Sequence, residues 1–378
     1  MKTVWNVVTE LPVTFKVKIT TSIFDLQNRS LLEYGNSKPN SRRLVLIDSD
    51  VFYTKAKTIK KYFDYHKIDT KIISIDLSEE KKNLENLLFI LDAMENFAIL
   101  RRSEPLICIG GGVLLDMAGL AASLYRRGVP YIKVPTTLLS LIDASIGAKT
   151  AINHFSRRNR LGTYYAPVAA YLDKTFLKTL PEEEITSALG EIIKMAVVKN
   201  AKLFELLENG IEKQIENKFL ADGIADEIIS ISIDDMIAEL EPNLWETDLK
   251  RLVDFGHSFS PLLEMKSLDD SNVRSLAHGE AVALDIIFSA CLSYHRGMLS
   301  MLNLKKVVSL AKRMKLPVFH EYFCDHLLLW EALLDTTAHR NGNQNLPTPV
   351  TIGNSIFLND VTLDDIICTS KIYYEITT

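Results

Sequence analysis

The stretch that decides the fold is LICIGGGVLLDMAGLAASLYRRG, residues 106–128. It begins as an apolar strand, passes through Gly110, Gly111 and Gly112, and continues as a helix. Glycines at such a turn let backbone N–H groups and a helix N-terminus approach a pyrophosphate. The stretch therefore indicates a dinucleotide site, although it is not G-x-G-x-x-G and also suits a plain tight turn. Asp116, one turn into the helix, fits a helix-dipole partner or a cofactor contact.

Outward from this stretch, strand-like and helix-like patterns alternate up to about residue 175. RLVLIDSDVF (43–52) and TKIISID (70–76) are β-branched runs, and helical patterns follow them near 57–68 and 79–100. This alternation predicts βαβ units and a parallel sheet covered by helices. The opening residues, 1–19, alternate like a further strand.

From LPEEEITSALGEIIKMAVVKN (180–200) onward, helical periodicity dominates. The predicted fold class is an α/β N-terminal Rossmann-like domain followed by an all-α C-terminal metal-binding domain. We place the boundary near residue 180, so that 1–180 and 181–378 are the two domains. The last 40 or so residues are expected to be a strand-and-loop return with a short tail.

Composition excludes several classes of protein. The chain of 378 residues has a formal net charge of −5 and no long basic run, so no nucleic-acid partner is expected. Its four cysteines form no C-x-x-C pair, which argues against a disulfide framework or a thiolate zinc site. No targeting segment or apolar run of membrane-spanning length is evident. We therefore expect a cytoplasmic protein with no membrane partner.

Candidate polar residues cluster in IKVPTTLLSLIDASIGAKTAINHFSRRNRLGTYYAP, residues 132–167. An apolar strand leads to Thr136 and Thr137. Asp143 and Lys149 then lie six residues apart across a turn of small residues, close to a surface that an anionic substrate could approach. The basic cluster at 157–160 fits either a solvated loop or part of that surface.

Ligand-type residues occur on three apolar segments of the second half. Glu191 and Lys194 share one helical face in GEIIKMA, His257 lies in DFGHSFSP, and His278 lies in LAHGEAVALDI. A lone histidine on an apolar helix is usually structural. One acid and two glycine-flanked histidines would instead make a Glu/His/His set with an open position, as in catalytic zinc sites. The spacing alone leaves both interpretations open.

Together, GGGVLLDMAG, RRG, VPTTLLSLIDASIGAKTAIN, RNRLG, GEIIK, DFGHSFSP and HGEAVA resemble the dehydroquinate synthase superfamily of sugar phosphate cyclases. The resemblance covers residues 45 to about 350. It implies NAD bound by the first domain, a divalent metal (Zn2+ or Co2+) in the second, and an active site between them. The implied metal ligands are Glu191, His257 and His278, and His257 would also be catalytic through the metal.

The resemblance also implies the remaining site residues. For NAD they are Asp48, Glu79, Lys82, Gly110, Gly111, Gly112, Asp116, Thr136, Thr137, Lys149, Arg158, Phe176, Leu177, Lys178 and Thr179. For the substrate they are Asp143, Lys149, Asn159, Lys194, Lys250, Asp254 and His339, with Asp143, Lys149 and Lys194 also catalytic. Arg127 matches an arginine that reaches the neighbouring subunit's site, which implies a homodimer.

Four positions depart from dehydroquinate synthase itself. Pro261 stands where that enzyme typically has a second histidine, Asp254 where it has asparagine, Lys250 where it has arginine, and Met236 where it has a substrate-binding lysine. Methionine cannot hold a carboxylate as a cationic side chain does, so the substrate is expected to lack one. These departures, with EPNLWE and HRNGNQNLPTP, are similar to the sedoheptulose 7-phosphate cyclases.

The implied reaction converts sedoheptulose 7-phosphate, a small sugar phosphate, into 2-epi-5-epi-valiolone and inorganic phosphate. Transient NAD-dependent oxidation, β-elimination of phosphate, reduction and intramolecular aldol addition would regenerate NAD each turnover. The alternatives are demethyl-4-deoxygadusol synthase, 2-epi-valiolone synthase and 3-dehydroquinate synthase. A metal-dependent polyol dehydrogenase is more distant, and a non-enzymatic scaffold protein would be expected to lack a metal ligand.

Overall fold

The computed structural model describes residues 3–155, 157–270 and 273–378. The strands and helices of its first half follow the predicted alternation: β1 (Lys16–Ile19), β2 (Arg42–Asp48), α1 (Ser49–Tyr65), β3 (Asp69–Ile75), α2 (Leu84–Phe97), β4 (Leu106–Gly110), α3 (Gly112–Leu124), β5 (Tyr131–Pro135), β6 (Lys149–His154), β7 (Arg157–Tyr164) and β8 (Ala169–Leu172). Six of these strands form one sheet in the order β1-β8-β5-β4-β2-β3. All neighbouring pairs are parallel, as predicted.

The order of the strands creates a crevice at one edge of the sheet. The chain passes from β2 to β3 on one side and then returns to β4 on the other side of β2. In open α/β sheets, ligands bind at such a switch point, outside the carboxyl ends of the strands. Asp48 ends β2 and Gly110 ends β4, and a Cβ atom added at Gly110 would lie 3.3 Å from the Asp48 Cβ. The glycine stretch is therefore at the switch point.

The second half is helical. Its elements are α4 (Glu182–Val198), α5 (Ala201–Glu216), α6 (Ile224–Leu240), α7 (Ser260–Asp269), α8 (His278–His295), α9 (Met301–Arg313), α10 (His326–His339), β9 (Leu346–Thr351), β10 (Asn354–Leu358) and α11 (Leu363–Thr377). Helix α8 is buried along nearly its whole length and packs against α4, α7, α9 and α11. The α/β half followed by a helical half agrees with the predicted fold class. The hairpin of β9 and β10 provides the strands of the return that was expected in the last 40 or so residues.

Parts of the two ends of the chain differ from their predictions. Residues 3–14 are exposed, and residues 3–15 form no strand, because β8 offers only the four positions Ala169–Leu172 to pair with Lys16–Ile19. Residues 1–2 of the predicted strand lie outside the described residues. The expected short tail is the helix α11, which begins with a capping box of Thr362 and Asp365 and packs on α8. The Ile, Thr and Tyr residues of α11 favour strands when considered alone, so the sequence did not indicate a helix here.

The large sheet ends at Leu172 and α4 begins at Glu182, so the predicted boundary near 180 falls in the connection between them. That boundary remains a prediction. Within the described residues, no helix combines the length and the apolar character needed to cross a membrane.

Candidate active site

The three predicted metal ligands come together from three segments. Glu191 lies on α4, His257 follows a short turn before α7, and His278 is the first residue of α8. Their candidate ligand atoms all lie within 4.8 Å of one another. Glu191 Oε1 is 3.5 Å from His257 Nε2 and 3.3 Å from His278 Nε2.

Glycines beside the three ligands allow this convergence. A Cβ atom at Gly190 would lie 2.2 Å from the Gly279 carbonyl oxygen, and one at Gly279 would lie 1.6 Å from the Ser187 carbonyl oxygen. The backbones of α4 and α8 therefore touch where Glu191 and His278 project. Gly256, which precedes His257, has a φ of +75° and packs against α8.

The donor set fits a divalent ion of the zinc type. His257 Nδ1 lies 3.2 Å from the Phe255 carbonyl oxygen, and His278 Nδ1 lies 3.1 Å from Glu264 Oε2. Both partners are oxygens that accept a hydrogen bond from an N–H at Nδ1. The Nε2 atom of each ring is therefore left to bind a metal. Glu191 Oε1 is buried and has no hydrogen-bond partner among the described residues. An orphaned carboxylate oxygen facing two imidazole nitrogens is the ligand set of an open catalytic site.

The electrostatics of the cluster support the same assignment. Burial opposes the charge on Glu191, but Lys194 and the two imidazoles outweigh it and hold the pKa of Glu191 well below its usual value. Burial lowers the pKa of His257 to about 4, which keeps this ring neutral. Burial also acts against charge on His278, yet the neighbouring carboxylates of Glu191 and Glu264 outweigh it and raise its pKa to about 9. A metal at this position would therefore displace a proton.

Asp143 and Lys194 border the cluster. Asp143 lies in a π-helical turn, Ser140–Ala144, between β5 and β6. Burial and the neighbouring charge of Glu191 raise the pKa of Asp143. Lys194 is buried one turn after Glu191 on α4 and forms an ion pair with Glu191 Oε2. Asp143 and Lys194 thus offer one proton acceptor and one proton donor beside the metal ligands.

Lys133 supports the turn that carries Asp143. This lysine of β5 is fully buried, and its Nζ donates to the carbonyl oxygens of Ala144 at 2.7 Å and Gly147 at 3.1 Å. Burial lowers the pKa of Lys133 to about 8. Its position in a strand made it indistinguishable from a core residue in the sequence.

The predicted cofactor residues surround the crevice between β2 and β4. Helix α3 begins after Gly111 with no side-chain cap, so its first N–H groups are free for an anion. Gly111 faces Thr137, since a Cβ atom there would lie 3.3 Å from the Thr137 Cγ2. Lys82 Nζ lies 2.7 Å from Asp116 Oδ2 and 2.6 Å from Asn159 Oδ1.

The other predicted cofactor residues lie nearby in sequence and structure. Asp48 caps α1, and Thr136 follows β5. Glu79 Oε1 accepts a hydrogen bond from Arg158 Nε at 3.1 Å, and Glu79 Oε2 lies 3.1 Å from Arg158 Nη2. Phe176, Leu177, Lys178 and Thr179 belong to the 3-10 helix Lys174–Thr179 that follows β8. The predicted cofactor residues thus lie on the segments that follow β2, β3, β4, β5 and β8, at one edge of the sheet.

Asp254 and Lys149 belong to a polar network that we did not predict. Arg251 binds both carboxylate oxygens of Asp254, at 2.7 and 3.1 Å, and also pairs with Glu246. Lys149 pairs with the same Glu246, and Arg340 lies 3.5 Å from Asp254. Burial opposes the charge on Asp254, but Arg251 and Arg340 outweigh it and lower its pKa.

Three predicted substrate residues stand apart from the metal ligands in this single chain. Lys250 is exposed, and its backbone N–H donates a hydrogen bond to Asp248 Oδ1. His339 is 51% exposed and lies 3.6 Å from Asp335. Arg127 is exposed in the left-handed backbone region after α3. Their roles remain predictions.

Sequence reasoning also missed Glu264 and Asp285. Glu264 binds His278, and Asp285 Oδ2 accepts the backbone N–H groups of residues 258–260 at 2.7 to 2.9 Å, which fixes the segment after His257. An acid within an apolar helix was the only available signal for either residue.

Comparisons with known proteins agree with this architecture. Residues 72–187 match the family model described as 3-dehydroquinate synthase N-terminal, and residues 188–338 match the one described as 3-dehydroquinate synthase C-terminal. A 2-epi-5-epi-valiolone synthase of Actinomyces sp is 42% identical over 96% of this chain and 95% of its own length. One from Streptomyces albus is 41% identical over 95% and 87%, respectively.

A solved structure shows the same similarity to a 2-epi-5-epi-valiolone synthase. It is ValA, the 2-epi-5-epi-valiolone synthase of Streptomyces hygroscopicus subsp. jinggangensis, with NAD+ and Zn2+ bound. The two structures superpose with a TM-score of 0.92 at 40% identity, over 98% of this chain and 99% of ValA. The two family models cover most of the chain, and full-length relatives exceed 40% identity. The chain therefore belongs to the 3-dehydroquinate synthase family.

Proposed function

We propose that this chain is a sugar phosphate cyclase that converts sedoheptulose 7-phosphate into 2-epi-5-epi-valiolone and inorganic phosphate. The observation that carries the proposal is the convergence of Glu191, His257 and His278 in a chain closely similar to named 2-epi-5-epi-valiolone synthases. ValA, which has 40% sequence identity, binds NAD+ and Zn2+. We propose the same two cofactors here, with Co2+ as an alternative metal.

Glu191, His257 and His278 would hold the ion, and the crevice between β2 and β4 would hold the dinucleotide. When bound, the ion polarises a ring carbinol and NAD+ takes up and returns a hydride. The free N–H groups at the start of α3 suit the pyrophosphate. The Asp48 carboxylate at the end of β2 suits a ribose hydroxyl.

The residues beside the ion would move protons. Asp143, whose pKa is raised by burial, is suited to accept a proton from a substrate hydroxyl near neutral pH. Lys194 would donate a hydrogen bond to another hydroxyl while keeping Glu191 anionic. Lys133 would keep Asp143 in place through the two carbonyl groups of its turn.

Lys149, Asn159, Lys250, Asp254 and His339 would bind the phosphate and the remaining hydroxyls. We propose a cytoplasmic homodimer in which Arg127 reaches the neighbouring site, and both statements rest on the family resemblance. The same holds for the domain division near residue 180.

The side chains at two positions, one buried and one exposed, support a substrate without a carboxylate. Met236 is 5% exposed on α6, and Pro261 lies in the first turn of α7. Neither side chain can bind an anion.

Incubation of the protein with sedoheptulose 7-phosphate, NAD+ and Zn2+ tests the proposal. We expect inorganic phosphate to accumulate without net NADH, and NMR to identify the cyclitol as 2-epi-5-epi-valiolone. Accumulating NADH would mean a dehydrogenase, and another cyclitol would mean one of the other cyclases. Either result contradicts the proposal.

His278→Ala provides the matched test of the metal site. It should abolish phosphate release and weaken metal retention, because it removes one of three ligands. His326→Ala, at an exposed position that starts α10, should match the parent protein. Phosphate release that persists in His278→Ala would refute the metal assignment.

A further inference from the structure

A continuous series of charged contacts joins the metal ligands to the edge of the sheet. Glu264 on α7 contacts His278 through Oε2 at 3.1 Å and pairs with Arg158 through Oε1. Arg158 on β7 also binds Glu79, with Nε and Nη2 each 3.1 Å from a carboxylate oxygen. Asn153 then donates to Glu79 at 2.8 Å.

Glu264 is the centre of this series. Its side chain is only 6% exposed, and burial raises the cost of its charge. The contacts with His278 and Arg158 compensate for that burial. Removing either partner would leave a buried carboxylate incompletely satisfied, so the two contacts depend on each other.

The far end of the series lies at the cofactor crevice. Glu79 and Lys82 belong to the segment that follows β3, beside the carboxyl end of β2. Lys82 reaches Asp116 on α3, one turn after the glycine stretch, and Asn159, the neighbour of Arg158 on β7. A dinucleotide in the crevice would therefore order the groups that hold Arg158.

We propose that Glu264 is a positioning residue that couples metal binding at His278 to dinucleotide binding in the crevice between β2 and β4. On the metal side, Glu264 holds the proton of His278 on Nδ1 and aims Nε2 at the ion. On the cofactor side, it holds Arg158 in contact with Glu79. Each ligand thus preorganises the site of the other, and the coupling must be reciprocal.

This inference deepens the proposed function and rests on it for the identity of the two ligands. The test measures binding alone: the dissociation constant of Zn2+ from competition with a chromogenic chelator, with and without saturating NAD+. For the parent protein we expect NAD+ to tighten Zn2+ binding by a factor of about 5 or more. The reciprocal titration of NAD+, with and without Zn2+, should give the same factor.

Glu264→Gln tests the role of the carboxylate. The amide has one acceptor oxygen in place of two, and its NH2 group only donates, so either His278 or Arg158 loses its acceptor. We expect Zn2+ affinity without NAD+ to fall about 10- to 100-fold and the coupling factor to fall to within about twofold of one. Glu212→Gln, which breaks an exposed carboxylate–arginine pair with Arg313, should leave both quantities unchanged.

Arg158→Gln provides a second variant, which keeps the Glu264 carboxylate but removes its arginine partner, whose Nη1 also lies 3.4 Å from His278 Nδ1. Because the two contacts of Glu264 depend on each other, Zn2+ affinity without NAD+ should fall, but by less than in Glu264→Gln, while the coupling factor approaches one. The inference is overturned if the parent protein shows no coupling, or if folded variants retain it. A protein with coupling but no phosphate release would refute the proposed function and leave the inference standing.

Discussion

Gly279→Ala tests whether the contact between α4 and α8 sets the geometry of the metal ligands. The added Cβ would lie 1.6 Å from the Ser187 carbonyl oxygen, where an ordinary contact needs at least 3.4 Å. The obstacle is backbone, so no side-chain rotation can relieve it. The two helices would have to separate by up to about 2 Å near His278, since packed helices yield only by moving apart.

A shift of that size is large compared with the tolerance of a metal site. Zinc–ligand distances are held to within about 0.2 Å, and a misplacement of about 1 Å can cost 10²-fold in activity. We expect Gly279→Ala to lower Zn2+ affinity and phosphate release by about 10²-fold or more. Overpacking should also lower the free energy of unfolding by about 1–3 kcal/mol.

The assays are chelator competition for Zn2+, phosphate release and urea unfolding of the metal-free protein. Gly210→Ala is the matched control, because this glycine also lies in a helix, α5, and its nearest contact to an added Cβ is an ordinary 3.8 Å. The reasoning fails if Gly279→Ala binds Zn2+ within about twofold of the parent protein and unfolds at the same urea concentration.

Two further predictions concern charged groups in the two halves of the chain. Lys133→Met leaves the Ala144 and Gly147 carbonyl groups without their donor, so the turn carrying Asp143 should shift and kcat for phosphate release should fall about 10- to 100-fold. Zn2+ affinity should not change, and an unchanged kcat would contradict the supporting role of Lys133. Asp365 is partly buried, but Arg296 and Thr362 hold its pKa at about 2. Because this folded-state pKa lies below the ordinary value, its stabilisation is present above about pH 4 and disappears as the pH falls to about 2. Asp365→Asn should lower the free energy of unfolding by about 1–2 kcal/mol at pH 7, and the difference should vanish in acid. A difference independent of pH in urea titrations would disprove this account.

The fold could be predicted largely because its signals are local. Each strand of the large sheet after β1 is a short apolar run, and the glycine stretch marks the turn between β4 and α3. Helix α11 was missed because its strand-favouring residues become helical only through packing on α8. Residues 3–15 were expected to form a strand, but alternation alone does not make one, and the pairing with β8 covers only Lys16–Ile19.

The site was predicted less completely. The sequence and the resemblance named Glu191, His257 and His278, which the fold brings together. The sequence and the resemblance did not indicate Glu264 or Lys133, because a single acid or lysine in an apolar segment does not show which residue it contacts. The substrate role expected for Asp254 remains a prediction, but its ion pair with Arg251, three residues earlier, was not anticipated.

The pairing of β1 with β8 has a consequence for synthesis on the ribosome. Strand β1, Lys16–Ile19, cannot acquire its neighbour until Leu172 has emerged, about 150 residues later. At roughly 5–20 residues per second, β1 waits about 8–30 seconds for that strand. Closing so long a loop is entropically costly. We therefore expect the β1–β8 side of the sheet to form last during translation, and nascent chains released before Leu172 to expose the edge of β5 to chaperones.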